Sequence, residues 1–264
     1  MKQPDNLFFA KKRMTAIGIA LLIIVIYLLA ASVTGYHFIE GIGAFPKAVM
    51  WIAEKLVPDA KAIERLPKIL SKLMETTLLS IAVTVIASIV AFASSIGGSQ
   101  VIGSSKVINR LIRIVAAFFR NVPDVVWAMI LMFSFGQNIL TGFFALFFTT
   151  YGLLTRLFIE TIDEVSSASV EALKASGASF SHIIFQGIIP SALTGIITWI
   201  LYMIETNIRS STLIGMLTAT GIGYLFDMYY KRLEFGSASL VVLSIIILVI
   251  SIENISTQLR KVVS

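Results

Sequence analysis

Apolar residues in this chain gather into long runs separated by short polar islands. A helix that crosses the ~30 Å hydrocarbon layer needs about 20 mostly apolar residues, because its backbone must satisfy its own hydrogen bonds there. By that measure the pattern predicts six spans. The first covers about 15–33 and the second about 76–97. The uncharged run 125–155 is too long for one untilted crossing, and Gly136-Gln137-Asn138 breaks it into a hairpin of spans three and four. Span five covers about 187–206, and span six about 236–253. Between the first two spans, Val49, Ile52 and Leu56, then Ile63, Leu66, Leu70 and Leu73, recur at helical spacing among charges and Pro46, Pro58 and Pro67. These read as short helices lying in the membrane interface. The pattern divides the chain into an N-terminal helix plus external amphipathic segment, 1–74, and a core of spans, 75–264.

Composition agrees with that picture. Of 264 residues, 57% are hydrophobic and 14% charged, which a water-soluble domain could not hide from solvent. The chain is expected to be an all-α integral membrane protein. No cysteine is present, so disulfides and thiolate metal sites are excluded, and His37 and His182 lie far apart. The net charge of +6 sits beside apolar runs as membrane-flanking residues do, which excludes nucleic acid as a partner. The basic start and Ala30-Ala31-Ser32 resemble a secretory signal, but the apolar region is long for one and the rest of the chain is itself membrane-spanning. With the N-terminus inside, eleven basic residues, Lys2 among them, fall on inner segments and nine on outer ones, which leaves orientation open by charge alone.

Three segments carry candidate chemistry. Glu171-Ala172-Leu173-Lys174-Ala175-Ser176-Gly177, with Pro190 thirteen residues beyond the glycine, forms a weakly polar island between spans four and five. Ala168, Ala172 and Ala175 give a helix of small side chains that a partner can approach, and Gly177 can close it in a left-handed cap. Arg120-Asn121-Val122-Pro123-Asp124 enters span three, where charges are costly unless they face water or a partner. Pro123 removes a backbone donor and should start or kink the helix. Near the end of span five stand Glu205, Asn207, Arg209, Ser210, Ser211 and Thr212, followed by Gly221 and Gly223. Arg209, helped by the three hydroxyls, suits a small anion. A bridge to Glu205 one turn earlier would instead use its charge structurally.

The first island resembles the docking loop of type I ABC importer permeases, whose pattern is Glu-Ala-Ala, three residues, Gly, nine residues, then Ile-x-Leu-Pro. Glu171, Ala172, Gly177 and Pro190 match, while Leu173, Gly187 and Ile189 depart. The second and third segments are similar to phosphonate-type permeases, and the second more loosely to methionine-type ones. The chain is thereby identified as a member of the phosphonate-type ABC importer permeases. The resemblance implies a cytoplasmic coupling helix at about 164–181 contacting an ATPase through Glu171, Ala172, Gly177 and Pro190. It implies a translocation path or gate using Arg120, Pro123, Asp124, Glu205, Asn207, Arg209, Ser210, Ser211, Thr212, Gly221 and Gly223. It also implies two permease copies, two ATP-binding subunits that hold ATP and magnesium, an external solute-binding protein, and a bacterial or archaeal plasma membrane with both termini inside. No cofactor is expected on this chain, since no G-x-x-x-x-G-K-[ST] loop is present. A membrane-embedded enzyme is disfavoured by the lack of HExxH, GxSxG and a histidine cluster, and a secondary transporter by the lack of an internal repeat.

Overall fold

The computed structural model describes residues 6–102, 105–165 and 167–263; Lys2, one of the basic residues that bear on orientation, lies outside them. The chain divides into two compact units between Lys55 and Leu56. The first holds α1 (Asn6–Thr34) and α2 (Phe38–Lys55). The α1 segment Phe9–Thr34 is long and apolar enough to span, and its large side chains, such as Ile23 and Leu29, are exposed all round. That is the surface a lipid-facing helix presents.

The second unit starts with α3 (Ala60–Glu64), whose Ala62 amide donates to the Asp59 carboxylate at 2.8 Å. Next comes α4 (Leu66–Gly98), 33 residues long, with Pro67 in its first turn, where a missing N–H costs nothing. The expected second span is therefore extended outward by ten residues, and the helix runs through the 74/75 division. Lys72 and Glu75 look like a polar boundary in sequence, but they pair at 2.5 Å on the helix surface.

The third crossing differs most from expectation. The run beginning at 125 is preceded by a helix, α5 (Lys106–Asn121), and α6 (Asp124–Phe135) turns 88° away from it. With 12 residues, α6 is about 18 Å long, too short to cross alone. Among the described residues, five helices are long and apolar enough to span, or six when the bent pair counts as one. After Gly136, α7 (Ile139–Val165) returns, followed by α8 (Ser167–Ala175). The short α9 (Phe180–His182) continues through a wide π turn, Ile183–Ile188, into α10 (Ile189–Thr218), so span five begins at Phe180 rather than 187. The chain ends in α11 (Gly221–Lys231) and α12 (Phe235–Val263).

What holds this bundle is close packing rather than bulk. The buried face of α4 carries Thr76, Ser80, Val83, Thr84, Ala87, Ser88 and Ala91, small residues that let helices approach when lipid offers no hydrophobic drive. Thr76, Ser80, Thr84 and Ser88 each donate to the carbonyl four residues back, at 2.6–3.0 Å. Leu154, Phe158, Ile162, Val170, Ile183 and Ile188 form one apolar cluster, which joins α7, α8 and the π turn. At the opposite end Arg65 pairs with Glu234, donates to Ser237 Oγ at 3.0 Å, and lies 4.8 Å from the Tyr229 ring centroid. The hydrogen bond from Arg65 holds the Glu234 carboxyl below its usual range.

Candidate docking helix and polar interior

The predicted docking segment 164–181 resolves into a nine-residue helix, α8, with Ser166 outside the described residues. Val170 is fully buried and Leu173 half-buried, whereas Ala168, Glu171, Ala172 and Ala175 are exposed. The apolar side therefore fastens α8 to the bundle and leaves a face of small residues with Glu171 outward, free of any hydrogen bond or ion pair among the described residues. Gly177 takes φ +76°. Its amide bonds to Lys174 O at 3.1 Å, and the Ala178 amide to Leu173 O at 3.0 Å, which is the Schellman closure of a helix end.

Two departures from the docking-loop pattern turn out to face each other. A Cβ on Gly187 would come 2.9 Å from Leu173 Cδ1. Leucine where the pattern has alanine, and glycine where it has isoleucine, thus exchange volume across one contact. Pro190 explains the wide turn before it. It sits in the first turn of α10, and its ring would crowd the carbonyl four residues back in a regular helix. The turn opens to an i→i−5 bond, Ile189 N–H to Ile184 O, and Ser191 Oγ donates to the Gly187 carbonyl at 2.7 Å.

Behind α8 lies a node that sequence reasoning missed, centred on Asp163. Its Oδ1 accepts from Ser99 Oγ (2.5 Å) and the Gln100 amide (2.9 Å), and its Oδ2 from Arg113 Nη2 (3.0 Å). Arg113 Nε reaches Gly98 O at 3.2 Å, and Lys174 Nζ on α8 reaches Val101 O at 2.7 Å. One carboxylate thus ties the end of α4 to α5 and α7, and Lys174 adds α8. Its residues come from four separate segments, so no local pattern betrays it.

The α5–α6 bend places Arg120 in the last turn of α5, Pro123 as the residue preceding α6, and Asp124 at the α6 start, with its carboxylate at the helix's positive end. Asp124 Oδ1 accepts from the Val125 amide at 2.9 Å. The corner is wedged by Trp127, whose ring centroid lies 5.6 Å from Phe119 and 4.9 Å from Phe148. Arg120 itself has no hydrogen bond or ion pair to any described residue.

On α10 the predicted path residues separate into two sets. Asn207 and Ser211 are buried among helices. The Asn207 amide donates to Thr84 Oγ1 (2.9 Å) and Thr150 Oγ1 (3.0 Å), while Ser80 Oγ bonds Ser211 Oγ at 2.9 Å. This polar junction of α4, α7 and α10 is spent on packing in this conformation. Arg209 is half-exposed and forms the one-turn bridge to Glu205, 3.0 Å, and Arg260 of α12 approaches the other Glu205 oxygen at 3.7 Å. Thr212 Oγ1 bonds back to Ile208 O at 3.2 Å, and Ser210 is half-buried beside Arg209 in sequence. Gly221 has φ +59°, with its amide on Glu75 Oε1 at 3.1 Å. Gly223 presses against α10, where a Cβ would come within 2.8 Å of the Met216 amide. Gly223 thus makes the α10–α11 contact tight, while Gly221 lets α11 close on Thr76 of α4. The turn between the two helices uses Ala219 at φ +56°, a left-handed residue that is normally glycine.

Comparison with known proteins fits this architecture. Residues 89–263 match the family described as binding-protein-dependent transport system inner membrane component. The chain is 28% identical over 218 residues to a putative phosphite transport system permease protein, HtxC, of Stutzerimonas stutzeri, covering 83% of this chain and 76% of that protein. It is 32% identical over 117 residues to a putative cryptic phosphonate transport system permease protein, PhnE2, of Escherichia coli (strain K12), covering 44% of this chain and 96% of that protein. A crystal structure of an amino acid ABC transporter with histidines superposes with a TM-score of 0.66 at 15% identity, over 78% of this chain and 98% of that one. The fold is that of a type I importer permease, and the chain belongs to the binding-protein-dependent transport system inner membrane components, the membrane-spanning permeases of ABC importers.

Proposed function

We propose that this chain forms the path for phosphonate, phosphite or a related small phosphorus oxyanion, driven by two ATP-binding subunits and supplied by an external solute-binding protein. The reading on cargo is supported by relatives named for phosphite and phosphonate transport. The reading on mechanism is carried by one observation, the outward face of α8 with Glu171 unpaired among the described residues and its end closed by Gly177. Docked on an ATPase groove, α8 passes nucleotide-driven closure into α7 and α10 through Val170 and Leu173, and into α4 through Lys174 and the Asp163 node. Rocking of the two permease copies then opens the path to either side. This places α8 and both termini in the cytoplasm of a bacterial or archaeal cell, with ATP and magnesium on the partner subunits.

The experiment is uptake of radiolabelled phosphite or methylphosphonate into proteoliposomes holding the whole complex. Wild type is expected to show ATP-dependent uptake. Glu171→Lys is expected to lower uptake and solute-stimulated ATP hydrolysis by at least ~tenfold, about 1.4 kcal/mol of coupling, with assembly into the membrane unchanged. Normal coupling in that variant removes the docking reading, and absence of uptake of either solute by wild type removes the cargo reading.

A further inference from the structure

Between α5 and α7 lies a cleft of about 190 Å³ whose polar lining is Arg113, Arg120, Arg156 and Glu160. Three guanidinium groups face one carboxylate. Arg156 gives Nε to Glu160 at 2.6 Å and its terminal nitrogens bond no described residue, while Arg113 is largely engaged by Asp163, Asn109 and the Gly98 carbonyl. Arg120 is bonded to nothing described. An unpartnered arginine beside a broken membrane span is costly unless it faces water or an anion, and this cleft offers room for either.

The cleft is also built rather than incidental. Gly152 of α7 lets α5 approach so closely that a Cβ there would come 2.6 Å from Ala116 O and 2.7 Å from the Arg120 amide. The Trp127–Phe119–Phe148 wedge fixes the following corner. Arg120 is thus held by its backbone while its charge is left unused. At ~30 Å³ per water, the volume admits about six water-sized groups, enough for one small tetrahedral oxyanion. Guanidinium forks match its oxygens.

Resting on the cargo reading, we propose that this cleft is an anion site, in which Arg120 and Arg156 hold a phosphorus oxyanion during its passage while Arg113 supplies background charge. Glu160 keeps the site weak enough to release, since it occupies part of Arg156.

The chain contains no cysteine, so one introduced thiol reports on the cleft. The assembled complex carrying Ala117→Cys, in nanodiscs of neutral lipid, is treated with an anionic sulfonate and a cationic trimethylammonium thiosulfonate reagent. The sulfonate is expected to react at least ~tenfold faster, inorganic phosphate at millimolar concentration to slow it, and Arg120→Gln to abolish both effects. If Ala117→Cys does not assemble, Glu160→Cys on the opposite wall reports through phosphate protection and its loss with Arg120→Gln alone, because removing the carboxylate itself raises the preference for anions. Equal rates for the two reagents overturn the proposal, as does labelling indifferent to phosphate. Charge-selective, phosphate-protected labelling without phosphite or phosphonate uptake overturns the cargo and keeps the site. Uptake without such labelling does the reverse.

Discussion

Single residues in this permease are explained mostly by what they allow a neighbour to do. The Leu173–Gly187 contact is the sharpest case, because neither residue fits the docking-loop pattern alone and each makes room for the other. Gly187→Ile by itself should overpack the seat of α8 by about 1–3 kcal/mol, and Leu173→Ala should loosen it. Together the two changes restore the pattern, so the double variant is expected to recover thermal stability and coupled ATP hydrolysis. A double variant no better than Gly187→Ile would show that the residues do not compensate. Gly177 was legible in the sequence because a left-handed helix end has a strong residue preference. Asn207 was visible too, but its place was not. Whether a polar side chain on a membrane helix faces a path or a neighbour depends on Thr84 and Thr150, far away in the chain.

Among elements, the apolar runs revealed α1, α4, α7, α10 and α12, because hydrocarbon thickness imposes a length that sequence displays directly. Their ends were less legible. The outer turns of α4 carry charges that pair locally, and the π turn merges the end of the loop with α10, so both helices are longer than their apolar windows. The α5–α6 corner was half visible: Pro123 marked a break, but the strongly basic face of α5 resembles a flanking loop. Its geometry depends on Gly152, so Gly152→Val should push α5 away from α7 and misplace Arg120. With one cysteine introduced at 116 and a second beside 152, the background that keeps Gly152 is expected to cross-link the two helices and Gly152→Val to lose that bond, with transport lowered. Unchanged cross-linking would mean that the close approach is not needed.

For the molecule as a whole, ion pairs lie at both ends of the α4–α12 assembly. Arg65–Glu234 joins the start of α4 to the start of α12. The Glu234 carboxyl is held below its ordinary value of 4.5, so it binds protons more readily when unfolded. The pair therefore contributes fully above that value, and its contribution is lost as pH falls through the lowered native pKa. Thermal unfolding of the complex in detergent, followed from pH ~6 to ~3, should show a decline in wild type that is shallower in Glu234→Gln. Parallel declines would remove this pair as a cause. At the Asp163 end, the same kind of network ties α4, α5, α7 and α8 to one another, as the proposed lever between motor and path requires.

The central claim is that α8 is gripped by a nucleotide-driven partner. Because the chain has no cysteine of its own, Glu171→Cys can carry a thiol-reactive benzophenone in the assembled complex within native membranes. The predicted result is a photo-adduct with the ATP-binding subunit, with an impermeant thiol reagent reaching position 171 from the cytoplasmic side alone. Labelling from outside the cell, or irradiation that yields no ATPase adduct, would contradict it.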